Sequence, residues 1–453
     1  MNNKNNPLDE VIDKILSSQK NTCVRAKVIA DKRARNGKKI ELLAPAGNLE
    51  KMKTALAFGA DAVYVGIPDF SLRVRINDFD ILKIEEAARY CHERGKKIYA
   101  TINIFAHNKH LAKLPSYIKE LKKIGVDALI VSDPGVISQV KEIWKEAVIH
   151  LSTQANSTNW MSVKFWHEQG VSRVILGRET TLEEIKEIHE KVPEVELETF
   201  VHGAMCMAYS GRCFLSKYFS DRSGNLGDCI QPCRWKYFIT EEKRPDMPLE
   251  IVEEEHGSYI LNSKDLNLLK HVKDLIDAGV VSLKIEGRAK SVYYQAMVNG
   301  IYSRVAHNLN RVTKEELDFL YGELENKIVN RGYTTGFVLG EKADQDMDNA
   351  HQEIEWEFCG VVIDDKLKVG KSIKLKVSKE IILIKIHNVL RVGDEIEIVM
   401  PEYDIIKMRV GKMFEQDGKE TDEVHGGQEK KILLEVEKGN IPEFSVLRRR
   451  IRQ

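Results

Sequence analysis

The feature that most constrains the fold is a regular alternation between short apolar runs and amphipathic stretches, which begins at Lys38. The runs are nearly continuous in apolar residues, as in strands that are buried on both faces. They are IELLA (40–44), DAVYVGI (61–67), KIYATINIF (97–105), DALIVS (127–132), AVIHLS (147–152), RVILG (173–177), VELETFVHG (195–203) and VSLKIEG (281–287). Several helical stretches end in a glycine just before the next run, a common signal for a helix C-terminus: Gly59, Gly95, Gly125, Gly170 and Gly279.

Eight such runs with helices between them predict an α/β fold of the (β/α)8 TIM-like barrel type. An open, doubly wound sheet is the alternative. Its dinucleotide-binding version is disfavoured because no GxGxxG follows the first strand. The segment YILNSKDL (259–266) is a candidate extra strand, so the strand count is open by one.

The sequence divides into four predicted segments. A polar N-terminal appendage (1–36) precedes the barrel domain (37–310), and a helical connector (311–352) leads to a C-terminal domain (353–453). Residues 204–257 interrupt the barrel pattern with a long cysteine-bearing loop, which in such a barrel lies on the catalytic face. The C-terminal domain is rich in β-branched residues and predicts a small antiparallel β-barrel. It ends in RRRIRQ, which reads either as a basic patch or as a solvated terminus.

Charge and hydrophobicity exclude several classes of protein. Lys and Arg total 69, as do Asp and Glu, so nucleic-acid binding would need a local basic patch. The apolar runs are shorter than the roughly 18–20 residues that span a bilayer. The N-terminus lacks the apolar core of a secretory signal. We therefore expect a cytoplasmic protein with no membrane partner.

Four of the seven cysteines fall within 28 residues with the spacing C-x6-C-x15-C-x3-C: Cys206, Cys213, Cys229 and Cys233. In a cytosolic protein such a group is typical of a metal or redox site rather than of disulfides. Four thiolates suit zinc or an iron–sulfur cluster. The wide x6 gap is unusual for a zinc knuckle and favours a cluster, while zinc stays open. Cys91 and Cys359 fit core positions, and Cys23 lies in the appendage.

Polar residues follow several predicted strands, on the face where barrel enzymes hold their active sites. They are Asn103, Ser132, Asp133, Gln154, Asn156, Arg178, Glu179, Glu286 and Arg288. His202 ends the seventh run and could bind substrate, move a proton or support a metal site, or could be a structural histidine. In the same run Glu198 is predicted to point into the barrel, where a buried carboxylate needs a partner.

The cysteine loop mixes cations with aromatic residues. The cations are Arg212, Lys217, Arg222, Arg234 and Lys236, and the aromatic residues are Tyr209, Phe214, Tyr218, Phe219, Trp235 and Tyr237. Such a mixture can grip phosphates and stack an unpaired base, although it also builds ordinary packed loops. The sequence has no HExxH, GxSxG or Walker A motif.

The stretch ETFVHGAMCMAYSGRCFLS (198–216) resembles the signature of peptidase family U32, the collagenase-like proteases. All elements of E-x-F-x-x-G-A-M-C-x4-G-x-C-x-L-S are present. Further stretches resemble the branch that hydroxylates tRNA uridine: ELLAPAGNLEKMKTALAFGADAVYVG, VDALIVSDPGVI, IHLSTQANSTNW, CIQPCRWKY, LNSKDL and KIEGRAKS. The resemblance covers roughly residues 38–305 and continues into the C-terminal domain.

This resemblance implies a [4Fe–4S] cluster held by the four clustered cysteines. It also implies that wobble uridine of tRNA is converted to 5-hydroxyuridine, with prephenate as the oxygen source. Related branches imply three alternatives: a collagenase-like peptidase, a hydroxylase of 23S rRNA and a hydroxylase of a ubiquinone precursor. The ubiquinone members resemble the barrel alone, so the C-terminal domain argues against that branch.

For the tRNA reaction, the two carboxylates of prephenate call for arginine forks, and Arg178, Arg212 and Arg288 are the candidates. His202 and Glu286 are the candidate catalytic groups for proton transfer. The uracil would come from the single-stranded anticodon loop, and the C-terminal domain and basic tail would hold the tRNA backbone. The sequence leaves a redox donor protein and a paralogous partner subunit open as further partners.

Overall fold

The computed structural model describes residues 40–72, 77–206, 208–209, 212–235, 238–241, 244–250, 264–340, 354–363, 380–427, 430–437 and 440–451. The predicted appendage (1–36), parts of the cysteine loop (207, 210–211, 236–237, 242–243 and 251–257), part of the connector (341–352) and the last two residues of the basic tail lie outside these residues. The loop cation Lys236 and the loop aromatic residue Tyr237, both singled out in the sequence, are among them.

The N-terminal two thirds of the chain fold into a closed parallel barrel. Its first seven strands are β1 (Glu41–Pro45), β2 (Ala62–Gly66), β3 (Lys97–Ile102), β4 (Ala128–Val131), β5 (Ile149–Leu151), β6 (Arg173–Ile175) and β7 (Glu196–Ala204). Then come β8 (Phe238–Glu241), β9 (Arg244–Glu250), β10 (Asp265–Asn267) and β11 (Val280–Ile285). Strand β11 pairs in parallel with both β1 and β7 and closes the barrel. The (β/α)8 prediction is confirmed, and this closure excludes the open sheet.

Helices surround the strands. They are α1 (Leu49–Ala57), α2 (Ile81–His92), α3 (Asn108–Leu111), α4 (Leu114–Ile124), α5 (Pro134–Ile143), α6 (Trp160–Glu168), α7 (Leu182–Lys191), α8 (Leu215–Ser220), α9 (Val272–Asp277), α10 (Val292–Ala306) and α11 (Lys314–Lys327). The five glycines expected at helix ends all have positive φ angles, between 64° and 102°. In that conformation a glycine turns the chain back towards the next strand without steric cost. No helix among the described residues is long and apolar enough to cross a bilayer.

Two short strands extend the barrel sheet. Of the candidate extra strand (259–266), residues 259–263 lie outside the described residues, and Asp265 and Leu266 begin β10, which runs antiparallel to β7. The connector contributes α11 and a two-residue strand, β12 (Tyr333–Thr334), which pairs with β10. Strands β8 and β9 form a hairpin within the cysteine loop.

The C-terminal domain is an antiparallel half-barrel, which confirms the predicted all-β class. Its strands are β13 (Trp356–Val362), β14 (Glu380–Ile386), β15 (Leu390–Arg391), β16 (Glu395–Val399), β17 (Ile405–Arg409), β18 (Met413–Phe414), β19 (Glu420–Thr421), β20 (Glu423–Val424), β21 (Lys431–Val436) and β22 (Val446–Arg450). The main sheet has the order β17-β16-β22-β13-β14-β21-β18-β19. Its own core contains Cys359, while Val361, Val399, Tyr403 and Val446 pack into the barrel core.

The two domains meet through buried charges. Arg448 is fully buried and donates from Nε to Glu397 Oε2 at 2.7 Å, and its Nη2 donates to Glu323 of α11. The Tyr403 hydroxyl also donates to Glu323, at 3.0 Å. Arg449 is 6% exposed and pairs with Glu357. The prediction of a basic surface patch is therefore wrong for the first two arginines of the tail, because Arg448 and Arg449 are buried and paired with glutamates.

Candidate functional site

A cavity of about 510 Å³ opens at the C-terminal ends of the barrel strands and is covered by the cysteine loop. Tyr64, Thr101, Phe200, Lys284 and Glu286 come from the strand ends or directly follow them, and they line its inner part. This is the face on which barrels of this type place their active sites, because the loops that follow the strands converge there. The cavity is therefore the candidate functional site.

All four clustered cysteines line this cavity: Cys206, Cys213, Cys229 and Cys233. Burial raises the pKa of the Cys206 thiol, while the nearby Arg178 acts in the opposite direction. The described residues contain no group of three or more His, Cys, Asp or Glu side chains spaced to hold a single metal ion. Cys91 and Cys359 are buried away from the cavity, and burial raises the pKa of both thiols, as expected for unreactive core positions.

Backbone amides already point at three of the cavity sulfurs. The Leu215 amide donates to Cys213 Sγ at 3.4 Å, and the Gln231 amide donates to Cys229 Sγ at 3.3 Å. The backbone of Ala208 bonds Cys206 in the same i+2 relation. Amide donors favour the thiolate form and tune iron–sulfur clusters through their sulfurs. The loop backbone therefore suits cysteines that act as thiolate ligands.

Arg178 is the cavity cation with the most free hydrogen-bonding capacity. Its guanidinium carbon lies 3.7 Å from the centre of the Phe200 ring, and it makes no hydrogen bond or ion pair with the described part of the chain. Stacking on a ring holds the planar guanidinium in place while its N–H groups stay available. This arrangement suits the binding of an anionic ligand.

The other two predicted arginines also line the cavity, with different anchors. Arg288 is 5% exposed, and its guanidinium donates to Ser71 Oγ at 2.9 Å and to the Leu72 carbonyl. Arg212 is exposed at the mouth and donates from Nη2 to the Gln154 carbonyl at 3.0 Å. All three arginines predicted from the sequence are thus brought to one cavity.

A buried ion pair lies at the cavity floor. Lys284 Nζ donates to Glu198 Oε1 at 2.8 Å, and Arg173 Nη1 donates to Glu198 Oε2 at 3.1 Å. Arg173 continues downwards to Glu41 and Glu196. Glu198 therefore has the partners that its inward position requires. Burial lowers the pKa of Lys284, although Glu198 acts in the opposite direction.

Lys284 is a cavity residue that the sequence analysis missed. The signal was a lysine inside the otherwise apolar strand VSLKIEG, two positions before Glu286 and so on the same face. Glu286 also lines the cavity and accepts a hydrogen bond from the Tyr64 hydroxyl at 3.4 Å.

His202 is not among the residues that line the cavity. The register between β11 and β7 shifts by one residue after Lys284 pairs with Phe200, so that Ile285 pairs with His202. This bulge reverses the alternation, and His202 leaves the face that holds Phe200. Its ring packs among three tyrosines, with centroid distances of 5.4–5.9 Å: Tyr294, Tyr302 and Tyr333.

The burial of His202 makes a testable contribution to acid sensitivity. Burial lowers its pKa to about 3, below the ordinary value of 6.5, so the unfolded chain binds the extra proton first as the pH falls. Between about pH 7.5 and 5, this should cost the folded protein about 2 kcal/mol of unfolding free energy. Urea unfolding at both pH values should show that acidification lowers the free energy of unfolding of His202→Phe by about 2 kcal/mol less than that of wild type. An acid loss in His202→Phe equal to that of wild type would contradict this assignment.

The remaining predicted polar residues divide between cavity and scaffold. Asn103 and Gln154 line the cavity. Asp133 instead caps α5, accepting the Val136 amide at 3.0 Å. Ser132, Asn156 and Glu179 are not among the lining residues.

Comparison with known proteins agrees with this architecture. The family model described as Peptidase family U32 matches residues 47–348, and the one described as Peptidase family U32 C-terminal domain matches residues 355–448. The chain is 40% identical over 409 residues to tRNA hydroxylation protein P of Escherichia coli, covering 81% of this chain and 87% of that protein.

More distant relatives carry other names. A collagenase of Porphyromonas gingivalis is 32% identical, covering 82% of this chain and 89% of its own length. The 23S rRNA 5-hydroxycytidine C2501 synthase of E. coli is 29% identical, covering 80% of this chain but only 56% of its own length. The matches agree with the family signature at residues 198–216. The chain belongs to peptidase family U32.

Proposed function

We propose that this protein hydroxylates wobble uridine of tRNA to 5-hydroxyuridine, with prephenate as the oxygen source and a [4Fe–4S] cluster as cofactor. One observation carries the proposal: four cysteines and the Arg178 guanidinium, which has no hydrogen bond or ion pair within the described residues, line one cavity. The relative named tRNA hydroxylation protein P supports tRNA as the substrate. A cytoplasmic location, as expected from the sequence, belongs to the same proposal.

The donor set fits the cluster. Cys206, Cys213, Cys229 and Cys233 would be its ligands, because soft thiolates are the preferred ligands of iron–sulfur clusters. The amides that bond three of these sulfurs would stabilise the anionic form. When bound, the cluster would supply electron transfer: the prephenate hydroxyl oxygen is at the oxidation level of water, so breaking its C–O bond and replacing the uracil C5–H bond with C5–O releases a proton and an electron pair, which the cluster would pass to a redox partner protein.

The cavity cations fit a ligand with two carboxylates. Arg178 keeps its N–H groups available, and Arg288 is held in place by Ser71 and Leu72. Arg212 lies at the mouth. Bidentate arginine bonds orient a carboxylate as well as bind it, which would position the transferred oxygen above the uracil ring.

Proton transfer falls to residues on the cavity floor. Glu286 lines the cavity near the Tyr64 hydroxyl and is our candidate for the proton removed from the uracil ring. Lys284 lies on the same floor and can donate to an oxygen that becomes anionic. His202 faces the tyrosines outside the cavity, so we do not assign it to this step.

The peptidase alternative finds little support in the geometry. A hydrogen-bonded Ser–His–Asp chain is present: Ser303 Oγ lies 3.1 Å from His307 Nδ1, and His307 Nε2 lies 2.7 Å from Asp61 Oδ2. Asp61 directly precedes β2, so this chain lies at the opposite end of the barrel from the cavity. Ser303 Oγ packs against the backbone of Gly59, where a Cβ atom would lie 2.1 Å from it, and it is 3.4 Å from the Gly59 carbonyl oxygen. We read this chain as a structural tie, as is usual for that end of a barrel.

The proposal is tested by mass spectrometry of tRNA nucleosides from a deletion strain grown without oxygen. We expect 5-hydroxyuridine and its derivatives to disappear and to return with wild type. In a reaction of purified enzyme with prephenate and unmodified tRNA, Arg178→Met should have about a tenth or less of the wild-type rate, because a charge-assisted hydrogen bond to the substrate is lost. Arg409→Gln, at an exposed position outside the cavity, should restore the modification fully.

Persistence of 5-hydroxyuridine in the deletion strain, together with inactivity of the purified enzyme, would refute the tRNA assignment. Loss of 5-hydroxycytidine from 23S rRNA in the same strain would then favour the ribosomal alternative. Anaerobic growth is necessary because an oxygen-dependent route could mask the loss.

A further inference from the structure

Five aromatic side chains of the cysteine loop are left in water: Tyr209, Phe214, Tyr218, Phe219 and Trp235, here called the aromatic rim. Their exposed fractions run from 45% for Phe219 to 82% for Tyr218. Leaving several large rings exposed in one segment forgoes the free energy of burying them, and such patches usually mark a binding surface.

The rim begins at the mouth of the candidate active site. Phe214 follows the cluster cysteine Cys213 and lines the cavity while remaining 78% exposed. The Tyr218 amide donates to the Phe214 carbonyl at 2.9 Å, one helical turn apart, so both side chains lie on one side of α8.

From there the rings continue outwards as a row. Tyr218 and Phe219 pack edge to face with centroids 5.2 Å apart, and Phe219 and Trp235 lie 5.8 Å apart. The row therefore leads from the cavity onto the surface of the loop.

Two of the cations beside the rim form ion pairs within the described part of the loop. Lys217 pairs with Asp221, and Arg222 donates to Asp228 at 2.9 Å. Among the described side chains of the loop, Arg212 at the mouth is then the cation without a carboxylate partner, so the rim offers flat apolar faces rather than a continuous cationic track. The partner that fits is one with exposed, flat π-faces and little dependence on charge.

We propose that the aromatic rim is a stacking platform for the unpaired ribonucleotides that flank the target nucleotide. This inference rests on the proposed function: while the target base occupies the cavity, its neighbours in a single-stranded loop must lie at the mouth. Unpaired bases stack on aromatic side chains, and each stack contributes about 1–3 kcal/mol.

Binding of an anticodon stem-loop RNA to the holoenzyme tests the platform. Phe214→Ala, Tyr218→Ala and Trp235→Ala should each weaken binding about tenfold, and by the same factor at low and high salt, because stacking releases few counterions. The fluorescence of Trp235 should be quenched by the stem-loop but not by a duplex of the same sequence. Phe319→Ala, which removes an exposed ring from α11 outside the loop, is the matched control and should bind like wild type.

Iron and sulfide content is measured for each variant, because Phe214 is next to Cys213. If Phe214→Ala loses its cluster, the test of the platform rests on Tyr218→Ala, whose position is five residues from Cys213. If wild type hydroxylates tRNA while Tyr218→Ala and Trp235→Ala bind and react normally, the platform is refuted and the proposed function stands. If wild type does not hydroxylate tRNA at all, the proposed function fails, and unchanged stem-loop binding by the variants would refute the platform separately. Rim variants that keep RNA affinity but lose self-association or vesicle binding would assign the rim to a protein or lipid partner instead.

Discussion

Replacing Cys229 with alanine is expected to remove both the proposed iron–sulfur cluster and the proposed tRNA hydroxylation. Cys229 lines the cavity with the other three clustered cysteines, and its sulfur already accepts the Gln231 amide. Three remaining thiolates would leave one iron open to solvent, and an exposed cluster is readily lost. We expect at least about a hundredfold drop in 5-hydroxyuridine formation, because the chemical step depends on the cofactor.

The fold should survive this change, since Cys229 is half-buried in the loop and lies outside the barrel core. Cys91→Ala and Cys359→Ala are the matched controls, because both remove a thiol from a packed core and neither faces the cavity. They should keep wild-type iron, sulfide and activity at a modest cost in stability. Full iron and sulfide content in Cys229→Ala would contradict the ligand assignment, and zinc without sulfide in the wild-type protein would contradict the cluster itself.

The barrel could be predicted from sequence because its signals are local. Each strand is a short apolar run, and glycines such as Gly125 and Gly170 adopt the positive φ angles that end a helix. Hydrophobic pattern and helix termination therefore agree along the chain, and such agreement is what makes a fold predictable. Closure by β11 had to be seen in the structure, because the same strands also allowed an open sheet.

The position of a site residue could be predicted where the order of the strands determines it. It could not be predicted where the register between two strands determines it. The arginines and Glu286 follow strand ends, so topology alone brings them to one face. His202 could not be placed, because a single-residue bulge in β7 reverses its direction and no residue type announces that bulge. The C-terminal arginines failed for a different reason: Arg448 pairs with Glu397 on the neighbouring strand β16 and contacts Glu323 of α11 only after the two domains meet, which no local pattern reveals.

The charged floor of the cavity gives the other large effect. Glu198→Gln should destabilise the protein by about 3–5 kcal/mol, because it leaves the Lys284 ammonium buried without its carboxylate. Arg173 would keep its ion pairs with Glu41 and Glu196, so the loss of stability comes mainly from the unpaired ammonium of Lys284. Urea unfolding of the single variants and of Glu198→Gln/Lys284→Met measures this coupling. The double variant should recover most of the lost stability, since it removes one charge of each sign.

Activity should not recover in that double variant, which separates the two roles of Lys284. Its ammonium lines the cavity as well as pairing with Glu198, so removing it should lower kcat/KM by about ten- to a hundredfold even in a stable protein. The Arg304–Glu316 pair is half-exposed and lies far from the floor, so the same pair of neutralising changes there should cost about 1 kcal/mol or less and leave turnover intact. If Glu198→Gln/Lys284→Met is stable and fully active, Lys284 only balances a buried carboxylate. If it is stable and slow, the barrel uses its buried ion pair to hold a cation against the substrate.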